Sequence, residues 1–145
     1  MSRAGGMVSE LTQHRRAFWA AFAEALPRLA GRTVRGNETT RWLAVGHVPL
    51  IAAHYVGAGA VGMFVRGARG ARIGHVREML FPHRELIARH LGPQVRLGTT
   101  FLIETRLRID MGERANWPRA LEWLAETSPR YEALLREVQI SPFSG

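Results

Sequence analysis

The chain contains no cysteine, no lysine and a single aspartate, Asp110. Without cysteine, disulfides and thiolate zinc sites are excluded, and a reducing compartment is the simplest reading, with the cytoplasm as the expected location. Without lysine, a restriction-type nuclease core lacks one of its parts, because that core needs an Asp and a Glu-x-Lys on neighbouring strands to hold Mg²⁺ and position water. Glu104-Thr105-Arg106 only imitates the second element, and Asp110 lies downstream of it. A membrane span is also missing. The 24 residues from Trp42 to Val65 hold no Asp, Glu or Arg, but His47, Pro49, His54 and the glycines 46, 57, 59 and 62 cut them into short pieces. They read as buried strands, and no membrane contact is expected. Met1 to Gly6 has no apolar stretch behind it, so the start does not read as a secretory signal.

What is present is enough for one core. With 145 residues, 46% hydrophobic and 22% charged, the chain has the size and apolar content of a single domain. That domain is expected over residues 9–140, between short flexible ends at 1–8 and 141–145. All 20 basic residues are arginine, against eleven Glu and the one Asp, for a net charge of +8. Residues 1–115 carry 17 Arg against 8 acids, whereas 116–145 carry 3 against 4, so the last segment is not the basic surface. Arginine pairs with phosphate and carboxylate through a planar fork that lysine cannot copy. A GC-rich genome is the competing cause of the same bias.

Periodicity separates the elements. Phe18, Phe22, Ala25, Leu26 and Leu29 share one helical face, with Ser9 as N-cap, Gly31 as stop and Pro27 disturbing the last turn. Residues 32–40 read as a polar loop. Breaks at Val48-Pro49 and Gly57-Ala58-Gly59 divide the next block into strands over 41–47, 50–56 and 60–66. These strands are apolar on both parities, which predicts helices over at least one face. A second helix follows from Val76, Met79, Leu80, His83, Ile87 and Leu91, with Pro82 as a kink or restart and Gly92-Pro93 as its end. Phe101, Ile103, Leu107 and Ile109 alternate with Glu104, Arg106 and Arg108 in a strand with one wet face, and residues 95–97 are its candidate hairpin partner. Asn116 and Pro118 open a last helix whose face runs through Trp117, Leu121, Leu124, Tyr131, Leu135 and Val138, as one helix across Pro129 or as two. The order α-βββ-α-ββ-α contains no repeated βαβ unit. It predicts an α+β single domain with a mainly antiparallel sheet packed by helices.

Several of these residues carry a resemblance. Phe18-Trp19 with Phe22, Trp42 at the start of its strand, Glu85-Leu86-Ile87 before Gly92, and Asn116-Trp117-Pro118 followed by Trp123-Leu124 resemble a family of small bacterial domains of unknown function, found alone or fused behind restriction-endonuclease-like nuclease domains. The resemblance covers most of residues 12–138, and departs at Val95-Arg96-Leu97, where family members often have a Trp. It implies the fold and, through the fused nucleases, an association with nucleic-acid processing. None of its marks is a chemical motif.

The candidate anion-binding residues are arginines. Arg66, Arg69 and Arg72 lie within seven residues of a Gly-rich loop before a helix, where backbone amides can face an anion. The loop lacks a P-loop ending and a dinucleotide fingerprint, and only loosely resembles the coenzyme A phosphate loop of acetyltransferases. An ordinary solvated turn is its first reading, polyanion contact the second and a small phosphate ligand the third. Arg106 and Arg108 share the wet face of the late strand, where they can follow a phosphate backbone, although Glu104 can neutralise Arg106. No metal site is expected from the six histidines, because His83 and His90 stand seven apart and no His-Glu-x-x-His occurs. No Gly-x-Ser-x-Gly elbow points to a catalytic serine. Trp19, Trp42, Trp117 and Trp123 read as core residues, with base stacking as the alternative for any that is exposed. The expected function is a non-enzymatic accessory or binding domain, without cofactor, whose arginine face meets nucleic acid or an acidic protein. The alternative is a protein-interaction or homodimerisation module, and a small phosphate-ligand-binding protein or enzyme comes third.

Overall fold

The computed structural model describes residues 10–45, 50–67, 72–93, 95 and 103–140. The first helical stretch is two helices, α1 (Glu10–Ala25) and α2 (Pro27–Gly31). Proline takes the first position of α2, where it has no hydrogen bond to lose. Four strands follow in meander order, β1 (Thr33–Gly36), β2 (Thr40–Ala44), β3 (Leu50–Val56) and β4 (Ala60–Gly67). Next come α3 (Ile73–Leu80), a 3-10 turn at Phe81–His83, and α4 (Arg84–Leu91), so Pro82 restarts the helix as its geometry requires. β5 (Ile103–Arg108) and a single long α5 (Trp117–Ile140), which continues through Pro129, complete the described chain.

The five strands form one antiparallel sheet in the order β1-β2-β3-β4-β5. The α+β class, the antiparallel sheet and the element order agree with the sequence, with one addition. Residues 33–36 form β1, not loop, because Asn37 closes a tight hairpin turn. Its Oδ1 accepts from the Thr39 and Thr40 amides at 2.8 and 2.9 Å, and its own amide donates to the Thr40 carbonyl at 3.0 Å. The expected partner strand at 95–97 falls largely outside the described residues, as does the Ser9 cap.

One face of the sheet carries the core. Leu50, Ala52 and Val56 of β3, Val61, Met63 and Val65 of β4, and Ile103 of β5 pack with Phe18, Trp19 and Phe22 of α1, Val76 and Leu80 of α3, Ile87 and Leu91 of α4, and Leu124, Leu134 and Leu135 of α5. Three large polar-tipped rings of the core, Tyr131, Trp117 and Trp19, find partners, as buried hydroxyls and indoles must. The Tyr131 hydroxyl donates to the Met63 carbonyl at 3.0 Å and lies 2.8 Å from Thr105 Oγ1, which ties α5 to β4 and β5 together. Trp117 donates to the Met111 carbonyl at 3.0 Å, and Trp19 to the Glu38 carbonyl at 2.9 Å, pinning the β1–β2 turn onto α1. No described helix is long and apolar enough to cross a membrane.

His54 is a titratable group sunk fully into this core. Its Nε2 lies 3.1 Å from Ser128 Oγ, while Nδ1 has no hydrogen-bond partner. Burial pushes the imidazole down to about 4 from an ordinary 6.5, against the smaller opposing influences of the Arg41 backbone and the Glu132 charge. A depressed histidine is neutral in the fold and protonated in the unfolded chain between these two values, so acid favours unfolding there. Unfolding free energy is therefore expected to fall by on the order of 3 kcal/mol from pH 6.5 to about 4, beyond any carboxylate contribution. Urea titrations across this interval check it: His54→Gln should flatten the slope, and an unaltered slope would remove His54 as its cause.

Candidate nucleic-acid interface

The register fixes what lies on the opposite face. Residues directly paired across an antiparallel sheet point the same way, and alternate residues along each strand share a face. Opposite the core face, one cross-strand row reads Arg35, Trp42, Ala53, Phe64 and Glu104. A second reads Thr40, Tyr55, Gly62 and Arg106; Ile51 with Arg66 and Ala60 with Arg108 flank them. Among the described residues this face contributes nothing to the helix-packed core cluster. Its own side chains cover it.

Two arginines hold Trp42. The Arg66 guanidinium carbon lies 3.9 Å from the centre of the Trp42 ring and that of Arg35 lies 5.4 Å away, both within cation–π range. Burial, and then the neighbouring Arg35 charge, lower the Arg66 pKa. Trp42 was expected in the core; it is instead half-buried on the outer face. The misreading has a physical cause, since both faces of β2–β4 are apolar and parity alone cannot assign an indole to either.

At the centre, the Tyr55 ring lies across Gly62, where any side chain would overlap it. The Tyr55 hydroxyl donates to Glu104 Oε2 at 2.7 Å, Arg106 donates to Glu104 Oε1 at 3.1 Å, and the Tyr55 and Phe64 rings stand 6.0 Å apart. Burial and the adjacent carboxylate raise the Tyr55 pKa, so its hydroxyl remains a donor. The face thus presents three rings, Trp42, Tyr55 and Phe64, and four guanidinium groups, Arg35, Arg66, Arg106 and Arg108, against the one carboxylate of Glu104.

Of the arginines singled out in the sequence, the fold brings Arg66, Arg106 and Arg108 onto this one face and confirms the Glu104–Arg106 pair. Arg72 is not with them: it is exposed at the N-cap of α3, beyond the end of β4. Arg69 lies outside the described residues. Sequence reasoning passed over Arg35, which sits in the supposed loop, and the two rings Tyr55 and Phe64. The available signal was the parity of Tyr55, two residues before the Gly57-Ala58-Gly59 turn and so on one face with Ala53.

The Ser128–His54 pair is closed to substrate, with both residues 0% exposed. Among the described residues no group of three His, Asp or Glu side chains can hold a metal ion. His90 bonds Glu137 at 2.7 Å and His83 is buried. What the face can do is stack flat groups and pair with oxyanions.

Gly62→Ala is expected to cost roughly 1–3 kcal/mol by driving the Tyr55 ring off its seat. Denaturant midpoints of Gly62→Ala, Tyr55→Ala and the double variant check this: the double variant should lose less than the two single losses combined, and strict additivity would show that ring and glycine are independent.

No protein-family model matches the sequence, and neither a curated protein nor a solved structure matches the chain.

Proposed function

We propose that the chain is a non-enzymatic binding module that takes single-stranded nucleic acid on the open face of its sheet. The observation that carries this reading is the interleaving of Trp42, Tyr55 and Phe64 with Arg35, Arg66, Arg106 and Arg108 on one continuous surface. Bases unstacked from a single strand gain about 1–3 kcal/mol each by stacking on an aromatic ring, and guanidinium groups beside them neutralise the backbone. Duplexes fit less well, because their bases are already stacked on one another and offer no free ring face to Trp42, Tyr55 and Phe64. An acidic protein would satisfy the arginines but has no use for three adjacent rings. The resemblance to domains fused behind nucleases points in the same direction.

Self-association is the second reading, and a specific observation favours it. Trp42, Tyr55 and Phe64, half-buried over Ile51 and Ala53, give this face an aromatic centre of the kind enriched in the middle of an interface. The two readings separate in one experiment. Fluorescence anisotropy with labelled single-stranded RNA, single-stranded DNA and duplex, over a salt series, is expected to show tighter binding of the single strands, with a log–log salt slope of roughly −2 to −3 for three to four neutralised phosphates. Arg66→Ala and Arg108→Ala should each lessen the slope by about 0.7, and Trp42→Ala should weaken binding with little change in slope. No binding at low salt, together with a dimer in light scattering, overturns the proposal in favour of self-association.

A further inference from the structure

Arg41 and Trp42 are consecutive on β2, so they point to opposite faces of the sheet. While Trp42 joins the outer face, Arg41 enters a concavity on the helix side, against α1 and beside the β1 edge. This concavity, about 510 Å³, is lined by Arg16, Trp19, Phe22, Thr33 and Arg41 over a floor of alanines, with no Asp or Glu. An adjoining groove of about 460 Å³ shares Arg16, Thr33 and Arg41 and adds Arg35, which also reaches Trp42 on the outer face. One basic path therefore leads from the open face around the four-residue edge strand into the concavity.

The Arg41 guanidinium is fixed before any ligand arrives. It lies 4.4 Å from the Trp19 ring centre, and its Nη1 donates to the Thr40 carbonyl at 2.8 Å and to the Asn37 carbonyl. These partners are neutral, and among the described residues they leave the Nε and Nη2 edge of the fork for a bidentate acceptor. Neither Arg41 nor Arg16 takes part in an ion pair among the described residues. The acid of the adjoining groove, Glu38, is already held by the Thr12 hydroxyl and by Arg15 at 2.9 Å, and the Arg16 charge acts on it as well. The hydrogen bond from Thr12, then that from Arg15, keep its carboxyl below its ordinary pKa. Two arginines facing a cavity without an acid form a receptor for a group of two negative charges. A phosphate monoester carries about −1.5 to −2 at neutral pH, whereas an internal phosphodiester carries one charge and continues in both directions.

We infer that the Arg16–Arg41 concavity receives the terminal phosphate monoester of a nucleic-acid strand whose adjoining nucleotides lie across the outer face. The identity of the ligand rests on the reading of that face as a single-strand surface; the anion site itself does not. A strand passing Arg35 at the edge turns inward only where it ends, so the site reads the end of a strand and not its sequence.

The test uses one oligonucleotide of about eight residues, within the usual span of a single-strand domain, in three forms: 5′-phosphorylated, 3′-phosphorylated and without a terminal phosphate. One phosphorylated form is expected to bind at least about tenfold tighter than the unmodified one, the value of one good charge-assisted contact. Arg16→Gln and Arg41→Gln should each remove that increment, while Arg66→Ala should weaken all three forms alike. Arg41→Lys, which keeps the charge and loses the fork, serves if Arg41→Gln does not fold, with far-UV circular dichroism as the check; it should lose most of the increment. Equal binding of all three forms, or an increment that survives both the Arg16 and Arg41 substitutions, overturns end recognition and leaves the outer-face reading intact. If no oligonucleotide binds, the outer-face reading fails, and the site is judged by calorimetric titration with thymidine 5′-monophosphate. Saturable binding abolished by Arg41→Gln or Arg41→Lys upholds the anion site, and its absence overturns it.

Discussion

The structure rests on the unequal treatment of the two faces of its sheet. Antiparallel strands joined by short turns leave each face to be covered separately, and all the described helices contribute to one core, on one side. That core is held in register by the Tyr131 hydroxyl, which spans α5, β4 and β5 through the Met63 carbonyl and Thr105. With the helices committed to one side, the other must either be polar or cover itself. It covers itself: Trp42 under Arg66, Tyr55 over Gly62, and Phe64 beside Tyr55. Side chains that shield a face in this way are also side chains a ligand can reach.

The same inequality explains which parts of the molecule were legible in the sequence. Helical periods at Phe18, Phe22 and Leu26 or at Val76, Leu80 and Ile87 have one wet side, so their buried faces can be read directly. β5 is equally plain, since Ile103 and Leu107 alternate with Glu104, Arg106 and Arg108. β3 resists such reading because Ile51 and Ala53, on the outer face, are as apolar as Leu50 and Ala52, on the inner one. The site was therefore half visible. Arg106 and Arg108 announced themselves by alternation, Arg66 by its place next to a glycine loop, but that these three share a surface depends on pairing between β3, β4 and β5, which is a property of the register. Arg35 was hidden for another reason: β1 is four residues long and flanked by turn formers, so it has too little pattern to distinguish it from a loop.

The uniform use of arginine also takes on a more specific meaning in the folded chain. Arg32 and Arg136 close on Glu132 of α5, Arg119 pairs with Glu122, and Arg106 with Glu104. Those at the surface, Arg119–Glu122 and Arg106–Glu104, are ion pairs that lysine would serve almost as well. Arg35, Arg41, Arg66 and Arg114 are different, because each lies over an indole ring, where a flat, weakly hydrated cation is preferred to a compact ammonium. Genome composition accounts for the former kind of position without difficulty, and the latter kind favours arginine on physical grounds as well.

The adjacency of Arg41 and Trp42 has one more consequence. They belong to a single short strand bonded on both sides, to β1 and to β3, so β2 cannot shift for one of them alone. A guest that settles against Trp42 and moves the strand changes the cavity in front of Arg41 by the same displacement, and the reverse holds. Thermodynamic linkage makes such an influence mutual: whatever factor occupancy of one face applies to affinity at the other is returned unchanged. The peptide between residues 41 and 42 is thus the shortest covalent link between the two surfaces of this sheet.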